Sequence, residues 1–402
     1  MKAKFPIYGI ILLLLPLLLS GCWGKKELTD LAFVSALGFD VNENGGYTGT
    51  FQIFNPGNVS MSSGGGEKGP AVSVYTAEGK NIVELSRRAS SKVSRKLYYA
   101  HANLVVISEE LAKKKGIIQL FDALDRDPEF RITASVVIAQ GSSAADIVKT
   151  LTPIDKNPAE KVINNLKYTS ERWGEDIKVN IKEVIHSLIS TGKDPAIGGF
   201  KINGDSTIGK KADNIQASEP ATTLSADGIA VFKQGKLIDW FHDKTARGAV
   251  WGLNLLKATD INIDWDGQKE SIAYEVMRQK TKISADTKDK LPSISIDVSA
   301  EGDIGEATVP VNLQDRKVLS KLQHAFSKEI KEEIETAIER AKENKSDIFG
   351  FGEAIHRKDP KLWKEISKDW KESWLPKLKV KVRVESFIRR TGLRNKPYIN
   401  NE

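Results

Sequence analysis

A single cysteine, Cys22, stands in a chain of 402 residues. No disulfide can form within such a chain, so whatever folds must be held by packing. The surroundings of that cysteine say more. Lys2 and Lys4 precede an apolar run, Ile10–Leu19, broken only by Pro16, and the run stops at Leu19-Ser20-Gly21-Cys22. A charged start, a short apolar segment and small residues before a cleavage point describe a secretory signal. The run is shorter than the roughly 20 residues that a membrane span needs. A leucine three places before a cysteine, with Ser and Gly between, is the pattern read by the lipoprotein diacylglyceryl transferase and its signal peptidase. The expectation is a signal peptide over residues 1–21, cleaved, with lipidation at Cys22. An ordinary cleaved signal and an uncleaved anchor helix are the alternatives. Acylation would leave no free thiol, which excludes a cysteine nucleophile and a cysteine-ligated metal. Two acyl chains anchor a protein stably where one does not.

The remaining length suffices for two or three domains at about 100–200 residues each. Hydrophobic residues make up 40% and charged residues 28%, as in a globular protein. The net charge is +7, and losing Lys2 and Lys4 with the leader leaves +5. So small a surplus argues against nucleic acid and fits proximity to anionic lipid on an outward-facing protein.

The first half alternates strand and helix patterns. Leu31–Phe39 and Tyr47–Phe54 flank a turn at Asn42–Gly46 and read as a hairpin. Asn58–Pro70 is rich in Ser and Gly and reads as a surface loop. From Thr76 to Leu97 the stripe Ile82, Leu85, Ala89, Val93 and Leu97 predicts one helix, its basic residues facing water. Leu104–Ile107 and Ile132–Ala139 predict strands, with helices starting at Ser108 and Ser143 and further helices near Ala159–Trp173 and Ile181–Ser190. This is a mixed α/β unit over residues 22–190. Thr191–Ser225 has little periodicity and marks the main boundary.

Beyond it, Asp227–Phe232 and Lys236–Trp240 predict a second hairpin. Ile294–Val298 alternates cleanly, a helix is predicted over residues 315–343, and Leu378–Ile388 alternates apolar residues with lysine and arginine. The expected fold class is therefore α+β and multi-domain: a mixed α/β N-terminal domain, then a C-terminal antiparallel sheet packed on one long helix.

Catalytic and cofactor motifs are missing. Gly204–Lys211 resembles a phosphate-binding loop but puts Lys211 where the magnesium-binding hydroxyl belongs, and no helix start follows at Ala212–Pro220. Ser190-Thr191-Gly192-Lys193 matches a Ser-x-x-Lys pattern without its usual companion motifs. His101, His186, His242, His324 and His356 are scattered, with no metal-ligand spacing. Trp363, Trp370 and Trp374 fall at helical spacing and read as core. The chain is expected to be no enzyme and to need no cofactor or metal.

Three stretches carry a family likeness. They are Gly21–Leu28 running into Ala32–Asp40, then Ser94–His101 with Asp125-Arg126-Asp127-Pro128, then Asp347–Gly352 continuing through Trp363 and Trp370 to Ile388–Gly392. Together they resemble the Ger(x)C family, the lipoprotein C subunits of spore nutrient-germinant receptors. Gly24 departs from the usual opening, which has Asp or a similar residue after the tryptophan. The resemblance implies a non-enzymatic subunit, lipid-anchored on the outer face of the spore inner membrane. Its implied partners are receptor A and B membrane subunits, and its implied role is assembly and signal transmission during germination. It also implies three domains, which makes residues 191–266 a small middle domain and residues 267–402 the C-terminal one. A solute-binding lipoprotein that itself captures the germinant is the alternative. Within the third stretch, Gly350 and Gly352 can take the positive φ that ends a helix, and Phe349 and Phe351 would plug the junction. These four residues read as a hinge, with a subunit contact as the other reading.

Overall fold

The computed structural model describes residues 27–55, 70–288 and 291–390. The signal peptide and the lipidation expected at Cys22 lie outside the described residues. The first sheet is built around strands that are apolar but for one terminal serine each. Strand β5 (Leu104–Ser108) and strand β6 (Ser135–Ala139) are buried throughout. Such strands need cover on both faces. They pair in parallel with each other and with the flanking strands β1 (Leu31–Val41) and β8 (Ala196–Gly204). Antiparallel hairpins extend both sides. Strands β2 (Tyr47–Phe54) and β3 (Val72–Gly79) follow β1, and β9 (Thr222–Lys233) and β10 (Lys236–Phe241) follow β8. Two short strands, β4 (Lys96–Tyr98) and β7 (Val179–Asn180), pair with β1 and β6.

Helices supply the cover. On one face α1 (Ile82–Ser90), α2 (Glu109–Lys114) and α3 (Ile118–Arg126) pack over Val105, Ile107, Val136 and Ile138. On the other, α4 (Ala144–Lys149) and α5 (Pro158–Arg172) pack over Leu104, Val106, Val137 and Ala139. Ser108 and Ser143 each accept a hydrogen bond from the backbone N–H three residues on, capping α2 and α4 as expected. Helix α6 (Ile181–Ile189) starts with a reciprocal capping box between Asn180 and Glu183.

The second sheet has the order β11 (Thr259–Trp265), β12 (Gln268–Asp286), β13 (Ser293–Ala307), β14 (Lys379–Arg390). Along β13 every second residue from Ile294 is buried, and that face rests on the 28-residue helix α8 (Arg316–Glu343). Helix α7 (Asp243–Gly252) crosses α8 so closely that a Cβ on Gly248 would sit 2.0 Å from the Glu333 carbonyl oxygen. Beside that crossing the buried Arg247 guanidinium donates to the Glu333 carboxylate and, at 3.3 Å, to Glu175.

Four expectations need correction. The second sheet is antiparallel only across β11–β13; β14 joins β13 in parallel. The long crossover from 308 to 378 returns the chain to the sheet's starting end, and such a connection produces parallel pairing. The stretch 191–266 is no separate layer. Strands β8–β10 extend the first sheet, while β11 opens the second. The single helix expected from Thr76 to Leu97 is instead β3, the helix Ile82–Ser90 and then β4. Asn81 caps that helix by accepting from the Glu84 N–H, and Leu97 is buried against the start of β1 rather than on the helix. Finally, the expected strand from Ile132 begins at Ser135.

Candidate functional site: the junction between the two sheets

The helix α8 ends on Lys345, whose φ is +52, not on a glycine. Its N–H donates to the Lys342 carbonyl and that of Ser346 to the Ala341 carbonyl, closing the last turn. The chain then enters Ser346–Gly352. Gly350 has φ +72 and stands just before α9 (Phe351–Lys358), which leads into α10 (Pro360–Ile366). Of the two glycines expected to take positive φ, only Gly350 does, and it starts a helix rather than stopping one. Gly352 serves a different need. A Cβ there would lie 2.5 Å from the Trp363 ring, 2.6 Å from the Gly192 Cα and 2.9 Å from the Trp370 Nε1.

Asp347 organises this turn. Its carboxylate accepts from the N–H groups of Phe351 at 2.9 Å and Gly352 at 2.8 Å, and from the Trp370 indole N–H at 2.9 Å. Two of these donors are orphan amides at the start of α9, where a carboxylate is favoured. Burial still dominates and pushes the Asp347 carboxyl up to about 6, with Asp194 nearby adding to the rise.

Asp194 belongs to the loop before β8, so the junction ties the two units together. The backbones of Asp194 and Asp347 exchange contacts: the Asp194 N–H donates to the Asp347 carbonyl at 2.9 Å, and the Asp347 N–H donates to the Asp194 carboxylate at 3.0 Å. The Lys371 ammonium pairs with Asp194 at 2.7 Å, which balances a carboxylate only 2% exposed. Ser346 donates to the Phe232 carbonyl in β9 at 2.6 Å, Ser190 donates to Glu353 at 2.8 Å, and the Glu353 N–H reaches the Gly192 carbonyl at 3.2 Å. The Ser190 hydroxyl of the Ser-x-x-Lys stretch is thus engaged by Glu353.

The aromatic residues fill the space around this knot. Phe349 and Phe351 stack with centroids 5.2 Å apart, and Trp363 meets Trp370 edge-on at 5.4 Å. Phe349, Phe351, Trp363 and Trp370 are all buried in one core with the second sheet. Because Phe351 is 1% exposed, Phe351→Ala should lower stability by about 3–5 kcal/mol, read from urea denaturation midpoints. Midpoints equal to the parent's would refute the plug.

Asp347 lies inside the third family-like stretch, whereas Asp194 is marked only by the Gly-Lys-Asp-Pro turn at 192–195 and Lys371 by no local signal. Among the described residues no group of three or more His, Cys, Asp or Glu could hold a metal, and no helix is long and apolar enough to cross a membrane.

Comparison with known proteins places this geometry. Residues 24–202 match the family described as spore germination protein N-terminal domain, and residues 227–392 match spore germination B3/GerAC like, C-terminal. The second match begins inside β9, so the C-terminal segment contributes most of a hairpin to the first sheet. The chain is 44% identical over 394 residues to spore germination protein KC of Bacillus subtilis, covering 97% of each chain. It is 24% identical to spore germination protein GerQC of Bacillus cereus, over 96% of this chain and 98% of that one. The crystal structure of the GerBC protein superposes with a TM-score of 0.55 at 18% identity, covering 88% of this chain and 96% of that one. The chain belongs to the GerAC-like family of spore germination proteins.

Proposed function

We propose that this protein is the lipid-anchored C subunit of a spore nutrient-germinant receptor, acting in receptor assembly and signal transmission. The full-length identity to spore germination protein KC carries this reading. The lipobox at Leu19–Cys22 supports a diacylglyceryl tether on the outer face of the spore inner membrane. The junction supports a mechanical role. The two sheets are tied through buried Asp194, Asp347 and Trp370, a connection through which a force on one unit would pass to the other. The protein is read as non-enzymatic, with receptor A and B membrane subunits as its partners. Cross-linking of intact spore membranes tests this: adducts between this chain and membrane-embedded receptor subunits are expected, and their absence while those subunits are present would overturn it.

A second reading, germinant capture by this chain itself, draws on one cavity. Between α1 and α3 lies a hollow of about 560 Å³, floored by Leu37, Phe39, Phe51 and Leu85, with Tyr99 and Asp127 among its lining. That volume falls within the usual range of about 300–1,000 Å³ for small-molecule sites. Its lining is mostly apolar, and Arg126 at its edge is engaged by Asp122. Calorimetry of the mature chain with amino acids, sugars and nucleosides separates the readings. The assembly role predicts no heat of binding; micromolar binding would favour capture.

A further inference from the structure

Two adjoining hollows lie on the flank of the junction, where the first unit meets the segment after α7. The larger, about 400 Å³, is lined by residues of α6 and the 193–196 loop on one side and by Leu253, Leu255 and Ile348 on the other. The smaller, about 330 Å³, reaches back along α5. Ile177, Lys178 and Leu255 line both, so the two form one groove. Its floor is apolar, and Leu255 is 45% exposed there, unlike the buried residues below it.

The rim is cationic. Lys178, Lys182 and Lys193 edge the larger hollow, and Lys167 and Lys257 edge the smaller. Lys257 pairs with Glu171 at 2.6 Å. Lys167, Lys178, Lys182 and Lys193 hold no ion pair among the described residues. The Lys257 bond, with the charges of Lys167 and Lys178 nearby, holds the Glu171 carboxyl below the usual range, so Glu171 offsets part of this charge. Glu183 is turned back to the Asn180 N–H in the capping box. Asp176 is only 3% exposed, and burial pushes its carboxyl up to about 7, so it adds little negative charge to the groove.

We propose that this groove docks an acidic segment of a partner protein, one that carries apolar side chains between its carboxylates. The carboxylates meet the rim lysines, and an apolar side chain covers Leu255. The recess between two units admits a strip of chain, whereas a flat bilayer would rest on its rims and leave Leu255 untouched. The proposal rests on the assembly reading above and assigns it a surface.

The test uses the mature chain and a fluorescein-labelled synthetic peptide of alternating glutamate and leucine, with a lysine–leucine peptide and phosphatidylglycerol vesicles as comparisons. Fluorescence anisotropy should show binding of the acidic peptide only. The triple change Lys178→Glu, Lys182→Glu and Lys193→Glu should weaken it at least about tenfold, since like charges now face each other. Leu255→Asp should weaken it comparably, and Lys280→Glu with Lys282→Glu on the second sheet should leave it unchanged. Should the triple variant melt early, the corresponding glutamine variant gives the same readout with milder change. Equal peptide binding by parent and triple variant overturns the proposal, as does vesicle binding that depends on these lysines while the peptide fails to bind. In spores the triple variant should stay membrane-bound yet cross-link less to receptor subunits. Loss of membrane retention would instead strike at the tether, and unchanged cross-linking at the groove.

Discussion

Gly352→Val should be severely damaging, costing more than about 4 kcal/mol. The added atoms would enter space already held by the Trp363 ring, the Gly192 backbone and the Trp370 indole. None of these can retreat cheaply. Trp370 is fixed by its bond to Asp347, and Gly192 is backbone whose carbonyl accepts from Glu353. Overpacking of a well-filled core costs about 1–3 kcal/mol when neighbours can shift, and more when they cannot. Gly192→Val should have a similar effect, because a Cβ there would lie 2.6 Å from the Gly352 carbonyl carbon and the Glu353 N. The measurement is abundance and thermal midpoint of the purified variants. A Gly352→Val protein that accumulates and melts like the parent would show that the two units do not meet as described.

Asp347→Ala should also be costly. It strips three buried donors, Phe351 N–H, Gly352 N–H and the Trp370 indole, of their shared acceptor. At about 1–3 kcal/mol for each unsatisfied buried group, a loss on the order of 3–6 kcal/mol is expected. The same residue sets a pH dependence. Its folded carboxyl sits near 6, above the ordinary aspartate value of 3.8, so the folded state holds the proton more tightly than the unfolded state. The contribution of that proton is complete below the unfolded value and is lost as pH rises through about 6. Comparing parent with Asp347→Asn by urea denaturation isolates this contribution from other groups. The parent's advantage should shrink between pH 4 and pH 6.5, because only the parent must ionise a carboxyl buried beside Asp194. An advantage that grows across that interval would contradict the raised carboxyl.

How much of this could be read from sequence follows from how local each signal is. The helix α8 was legible almost to the residue, since its apolar stripe repeats over 28 residues and Asp315 caps it. Strands β5 and β6 were legible because both faces are buried and each run is apolar but for one terminal serine. Strand β12 was not. Past Val276 it runs through Arg278, Gln279, Lys280 and Lys282, on a sheet whose outer face is open to water, so no apolar alternation marks it. Strand β8 was hidden for the opposite reason. Its Gly198 and Gly199 read as loop, yet a Cβ on either would meet a carbonyl oxygen at 2.3 Å, so they are packing glycines in a strand. At the junction the motif Phe349–Gly352 was visible, but its assignment as the terminator of α8 failed, because Lys345 takes the left-handed turn without a glycine. The partner Asp194 lies 153 residues away from Asp347, beyond any local pattern.

The proposed reading is of a protein that works by being held in place. The full-length match to a spore germination protein supports the receptor context, and the Leu19–Cys22 motif would supply the attachment. On that reading the groove and the junction matter because the chain would sit beside membrane-embedded partners. Cys22→Ala in spores therefore tests the central claim, with fractionation of the inner membrane and nutrient-triggered germination measured on the same preparation. The account predicts that the variant leaves the membrane fraction and that the nutrient response is impaired, since removing the acyl chains removes about 0.8 kcal/mol for each buried methylene. A Cys22→Ala protein retained in the membrane with a normal nutrient response would contradict it.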